Sequence, residues 1–255
     1  MRINQLKKLL SEGKTVYGTM VVDWRSPGIA QIFALAGFDF MFIDMEHSPF
    51  STETMADMIR AARLSGIVPL VRPSDHAYFL ISRALDAGAQ GLMVPRVETP
   101  EQAAEVVSCA KYPPEGRRGC ALSMAHTDYG AVDRKEYVSR ANDEVLLILQ
   151  IESRRAVESV DEIAAVEGFD ALLVGPADLS LSYGLPGETT HPTVVGAIDR
   201  VLKTALERGI HCGIHLGNVD ELIRWREKGM RIISYSTDIS MMKEASRRGL
   251  ERLKG

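Results

Sequence analysis

"FDFMFIDMEHSPFSTETMADMIRAARLSGIVPLVR" (Phe38–Arg72) is the stretch from which the fold can be argued. Phe40 to Ile43 is continuously apolar, as in a strand buried on both faces. Ser51 with Thr54 then opens a helical pattern that Gly66 closes, and "VPLVR" (68–72) is a second short apolar run. Strand, helix and strand make one βαβ unit, whose strands run parallel.

The same rhythm extends both ways. "TVYGTMVV" (15–22) precedes the unit, and "GLMVP" (91–95), "LLILQI" (146–151), "ALLVG" (171–175), "CGIHL" (212–216) and "RIISYS" (231–236) follow it. Helical patterns fill most of the gaps, with Thr99 and Gln102 as a further start signal and Gly209 and Gly229 as stops. Eight such units predict an α/β chain folded as a single (β/α)8 TIM barrel spanning residues 1–255. An open doubly wound sheet shares the alternation, but no G-x-G-x-x-G turn follows the first strand and no G-x-x-x-x-G-K-[ST] loop occurs. The connection over 112–143 exceeds an ordinary loop and predicts an excursion at the catalytic face or an oligomer contact.

Composition narrows the class. A net charge of -4, with Lys and Arg scattered, lacks the basic excess of a nucleic-acid binder. Three distant cysteines without a CxxC pair argue against a disulfide framework or a zinc site and for a reducing compartment. The N-terminus reads as a short amphipathic helix rather than a signal peptide, and no apolar run is long enough for a membrane span. The expectation is a cytoplasmic protein with no membrane partner.

In a barrel of this kind the active site lies at the C-terminal strand ends. Those ends carry Asp44, Glu46 and His47, then Arg72, Arg96, Gln150 with Glu152, Asp178, and the region of His215 and Asp238. Glu152 and Asp178 follow neighbouring strands, and two bare carboxylates that close call for a proton or a hard divalent cation. Asp178 alone could instead cap a short helix. Arg72 could hold a substrate carboxylate or form a salt bridge with a nearby acid. His47 is the natural acid/base, with Asp44 placed to orient it. No lysine ends a strand, which closes the Schiff-base route to carbanion chemistry.

"GFDFMFIDMEHSP", "PLVRP", "LDAGAQGLMVPRVET", "YPPEGRRG", "LILQIES" and "GPADLSLSYG", in that order, resemble the HpcH/HpaI family of class II pyruvate aldolases, over about residues 18–184. The resemblance implies a barrel whose last helix is exchanged between subunits of a homohexamer. It implies Mg²⁺, Mn²⁺ or Co²⁺ on Glu152 and Asp178, with a 2-oxo acid helped by Gln150 and by backbone at Ala177 and Asp178. Arg72 would stabilise enolate charge and His47 would be the general base. Asp86, which the sequence alone reads as an exposed helix residue, would come from a neighbouring subunit and raise the basicity of that histidine. The implied reaction cleaves a 4-hydroxy-2-oxo acid to pyruvate and an aldehyde. Two stretches depart from the family pattern, "GCALSMAHTDYG" in the long connection and "YSTDIS" at the eighth strand, and both bear on the aldehyde partner. The competing readings are a citrate-lyase-β-like enzyme acting on a CoA thioester and a non-catalytic barrel that only binds.

Overall fold

The computed structural model describes residues 2–255. Eight strands, β1 (Val16–Val21), β2 (Phe40–Asp44), β3 (Val68–Arg72), β4 (Gly91–Val94), β5 (Leu146–Ile151), β6 (Ala171–Val174), β7 (His211–Leu216) and β8 (Ile232–Thr237), pair in chain order. All pairs are parallel and β8 closes on β1. The helices are α1 (Gln5–Ser11), α2 (Ile29–Ala36), α3 (Thr52–Ser65), α4 (Tyr78–Asp86), α5 (Pro100–Ala110), α6 (Arg134–Glu144), α7 (Arg154–Glu158), α8 (Val160–Ile163), α9 (Pro176–Ser182), α10 (Pro192–Glu207), α11 (Val219–Lys228) and α12 (Asp238–Lys254). The fold is the (β/α)8 barrel that the periodicity predicts.

Alternation along each strand divides the core in two. Phe40, Phe42, Leu70, Met93, Ile148 and Leu173 fill the barrel interior, whereas Met41, Ile43, Val71 and Leu149 pack against the helices. The rings of Phe40 and Phe42 meet edge to face at 5.1 Å. A Cβ on Gly18 would run into the Phe40 ring, so glycine is what lets β1 pass that ring. The floor is closed by α1: Leu6 and Leu10 join the interior cluster. The Asn4 side chain caps this helix and donates to the carbonyls of Gln90 (2.7 Å) and Glu144 (2.9 Å).

Three sequence expectations change here. The 112–143 connection leaves the C-terminal end of α5 and so lies under the floor, not at the catalytic face. There Arg63, at the end of α3, pairs with Asp128 at 3.0 Å, and Arg118 pairs with Asp86 at 2.7 Å. Asp178 sits in the first turn of α9 behind an N-cap at Gly175 and makes no cap hydrogen bond, which removes the capping alternative. The helical pattern after β5 is broken at Ser159 into α7 and α8.

The last helix stands apart from the rest. Only Asp238 of α12 is buried, and its carboxylate accepts the backbone N–H groups of Val22, Asp23 and Trp24 at 3.1, 3.2 and 2.8 Å. Ile239, Met242, Leu250 and Leu253 remain exposed. A groove of about 320 Å³, lined by Tyr17, Phe38, Leu222, Ile223, Ile233 and Tyr235, lies open beside β8 and β1. In a (β/α)8 barrel that is the seat of the helix following the eighth strand.

Candidate active site

At the C-terminal mouth a cavity of about 440 Å³ is lined by Glu46, His47, His76, Arg96, Glu152 and Asp178, among others. His47, Glu152 and Asp178 are thus brought together as the sequence predicts. Arg72, Asp44 and Gln150 lie just beneath them, buried at the ends of β3 and β2 and on β5.

Asp44 and Arg72 are direct register partners across β2 and β3. The guanidinium donates Nε to Asp44 Oδ1 at 2.8 Å and Nη2 to Oδ2 at 2.7 Å, a two-point bond. Burial by itself would push the Asp44 carboxyl up, but Arg72 and the N–H groups of Glu46 and His47 outweigh it and hold that carboxyl below its usual range. Burial likewise works against the Arg72 charge, and the Asp44 bonds more than offset it. Asp44 therefore orients Arg72 through its side chain and reaches His47 only at its backbone N–H, not at the ring as the sequence suggested. The His47 ring is more than half exposed in the mouth and its Nε2 lies 3.7 Å from Glu46 Oε2.

Glu152 is 7% exposed. Burial, followed by the neighbouring Glu46 and Asp178 carboxylates, pushes its carboxyl up to about 7 against the opposing Arg96 N–H. That N–H reaches Glu152 Oε1 at 2.9 Å, and Gln150 Nε2 donates to Oε2. Gln150 Oε1 is buried without a partner. A Cβ on Gly175 would come 2.8 Å from Gln150 Nε2 and 3.0 Å from Glu152 Oε2, so the glycine keeps a space open over these donors. Two carboxylates that disfavour each other's charge, an orphaned amide oxygen and a cradle that any side chain would fill are the donor set a hard divalent cation takes. Among the described residues no group of three or more His, Cys, Asp or Glu side chains could hold a metal. A cation on Glu152 and Asp178 would therefore complete its shell with substrate and water oxygens.

The other candidate positions separate clearly. Ala177 and Asp178 are exposed to the mouth in the first turn of α9. Asp86 ends α4, at the floor, far from the mouth of its own barrel; its carbonyl faces His126 Nδ1 at 3.1 Å. His215 points into the barrel with Nδ1 2.8 Å from Ser234 Oγ, and burial, aided by Arg72, pushes its pKa down to about 4. The sequence did not reveal what Arg96 and Glu46 do. Arg96 adopts φ 56°, which turns its N–H onto Glu152 while its guanidinium meets Glu46 at 2.8 Å. Nothing local in "VPRVE" signals that conformation.

The family model for HpcH/HpaI aldolase/citrate lyase matches residues 19–245. A hydroxypyruvate/pyruvate aldolase of Delftia acidovorans is 38% identical over 98% of this chain and 92% of its own. A 2-keto-3-deoxy-L-rhamnonate aldolase of Klebsiella pneumoniae is 34% identical over 98% and 93%. The crystal structure of an HpcH/HpaI aldolase from Desulfitobacterium hafniense superposes with a TM-score of 0.94 at 36% identity, covering 98% of this chain and 96% of that one. A closed barrel with its ionisable side chains gathered at one mouth, matched over nearly its whole length, defines an enzyme of the carbon–carbon lyase class. The chain belongs to the HpcH/HpaI aldolase/citrate lyase family, on its aldolase side.

Proposed function

We propose that this aldolase cleaves a 4-hydroxy-2-oxo acid into pyruvate, or a close 2-oxo acid, and an aldehyde, and runs the reverse condensation. The observation that carries the reading is the buried Asp44–Arg72 pair set beside Glu152. Two of the three guanidinium nitrogens are fixed on Asp44, which leaves Arg72 Nη1, 3.4 Å from Glu46 Oε2, as the one that can turn to a substrate oxygen. His47, exposed in the mouth, takes the proton from the C4 hydroxyl. The C3–C4 bond then breaks, the C4 carbonyl leaves as the aldehyde, the electron pair passes to the 2-oxo oxygen, and the proton held by His47 is delivered to C3 as the enolate collapses to pyruvate. Arg72 holds that developing charge, and removing such a donor costs on the order of 10²-fold in rate. Gln150 and the backbone at Ala177 and Asp178 seat the keto acid. A divalent cation on Glu152 and Asp178, when bound, supplies Lewis-acid polarisation of the keto acid's oxygens.

The relatives' names support pyruvate or hydroxypyruvate as the retained half and leave the aldehyde to be found by screening. The whole chain acts as one domain. The exposed apolar face of α12 and the empty seat beside β8 support a homo-oligomer, a hexamer by resemblance, in which α12 docks on a neighbour and Asp86 reaches that neighbour's His47. Three free cysteines support the cytoplasm; among the described residues no helix is long and apolar enough to cross a membrane.

The test avoids guessing the aldehyde. Metal-stripped protein is incubated with pyruvate in D₂O, with and without Mn²⁺ or Mg²⁺, and the methyl signal is followed by NMR. Metal-dependent deuterium uptake that is lost in His47→Ala supports the reading. No uptake under any metal, with no cleavage across a panel of 4-hydroxy-2-oxo acids, overturns it.

A further inference from the structure

Glu46 is the ionisable residue of the β2 end that the reaction above leaves without work, and its surroundings are specific. Its side chain is only 5% exposed, yet three ionic neighbours surround it. Arg96 Nη2 lies 2.8 Å from Oε1, Arg72 Nη1 3.4 Å from Oε2, and His47 Nε2 3.7 Å from Oε2. Oε2 itself is buried and has no hydrogen-bond partner. A native fold leaves few buried acceptors unsatisfied, and each calls for an explanation. This one is aimed between the two groups on which bond cleavage depends.

Arg96 shows that the arrangement is held rather than incidental. A non-glycine residue in the left-handed region is strained, and such strain persists where the surroundings over-determine it. At φ 56° Arg96 reaches two carboxylates at once, Glu152 with its N–H and Glu46 with its guanidinium. A single residue, two positions past the end of β4, thus ties the acid at the β2 end to the acid at the β5 end.

We propose that Glu46 is a positioning residue of the aldol step, an inference that rests on the aldolase reading. When the 3.7 Å gap closes over bound substrate, its Oε2 accepts the Nε2–H of His47, which fixes the neutral tautomer whose lone pair is on Nδ1. The C4 O–H bond breaks, its proton goes to Nδ1, and the electron pair left on oxygen forms the aldehyde carbonyl as C3–C4 opens. The Glu46 carboxylate stabilises the imidazolium so formed, as an anion beside a histidine ring does. The same oxygen keeps Arg72 Nη1 turned to the mouth, and Arg96 keeps the carboxylate from swinging away.

The experiment is deuterium exchange into pyruvate by the Mn²⁺-loaded full-length enzyme, which follows the proton that the same His47 nitrogen passes to and from C3, read as kcat and KM, with Mn²⁺ affinity measured separately by titration. Glu46→Gln is expected to lower kcat about 10- to 100-fold. The KM for pyruvate stays within about two-fold and the affinity for Mn²⁺ within about five-fold, because Glu46 contacts neither and acts on Glu152 only through its charge. Glu46→Asp, which keeps the charge, recovers part of the loss. Arg96→Met, which removes an exposed guanidinium but keeps the backbone N–H on Glu152, lowers kcat in the same direction by about three- to ten-fold. If Glu46→Gln exchanges as fast as the wild type, the inference is wrong while the aldolase reading stands. It is equally wrong if kcat, KM and Mn²⁺ affinity decline together and Glu46→Asp is no better than Glu46→Gln, since that pattern marks a merely structural residue. A wild type that exchanges no deuterium overturns the aldolase reading and this inference with it.

Discussion

Asp44 is completely buried and Arg72 nearly so, and each is tolerable there only because of the other. Asp44→Asn leaves the guanidinium buried with Glu46 as its nearest remaining acid, and the expected loss is about 3 kcal/mol of unfolding free energy. Urea denaturation of the variant against the wild type measures it. The sequence offered Arg72 a salt bridge with a nearby acid but not which one, because the partner depends on strand register: Asp44 lies opposite Arg72 only once β2 and β3 are aligned. His215 makes a second prediction. Its folded pKa of about 4 lies below the usual 6.5, so the fold disfavours its protonation. The stability it confers is complete above pH 6.5 and is lost as the pH falls toward 4, by roughly 3 kcal/mol. His215→Leu should flatten that part of the curve, which urea midpoints at pH 7 and pH 4.5 would reveal.

The elements themselves were legible because a strand buried on both faces is a continuous apolar run, and β2, β3, β5 and β6 are all of that kind. Thr99 and Gln102 form the reciprocal cap their spacing announces. The 112–143 connection could have been placed from the same logic, since chain leaving a helix of a βα unit is already at the floor. Short α9 was less legible: a Gly-Pro turn and seven helical residues carry little periodicity. Gly175, the N-cap of that helix, has φ -102°, which alanine adopts freely, so Gly175→Ala tests the open space and not the backbone. The variant should fold normally and bind Mn²⁺ at least about ten-fold more weakly, by isothermal titration.

For the whole molecule, the sequence announces eight strands and hence closure, but not where α12 goes, because an amphipathic helix does not say whose surface it covers. Leu250 and Leu253 are 53% and 84% exposed, and the seat beside β8 is apolar. If α12 docks on a neighbouring copy as proposed, Leu250→Glu with Leu253→Glu should shift the protein toward monomer in light scattering at micromolar concentration. If Asp86 serves a neighbour's His47, deuterium exchange should fall by at least about ten-fold in parallel.

The plugged floor bears on kinetics. With α1 sealing one end and Phe40, Phe42, Met93 and Leu173 filling the bore, the reaction chamber has a single doorway. Arg72 and Gln150 are at its back, and His47 is near its threshold. Reactants using one doorway must queue: in condensation the keto acid goes in ahead of the aldehyde, and in cleavage the aldehyde comes out first. Product inhibition should therefore show a compulsory order, with pyruvate, the last to leave, competing against the hydroxy-oxo acid and the aldehyde failing to do so.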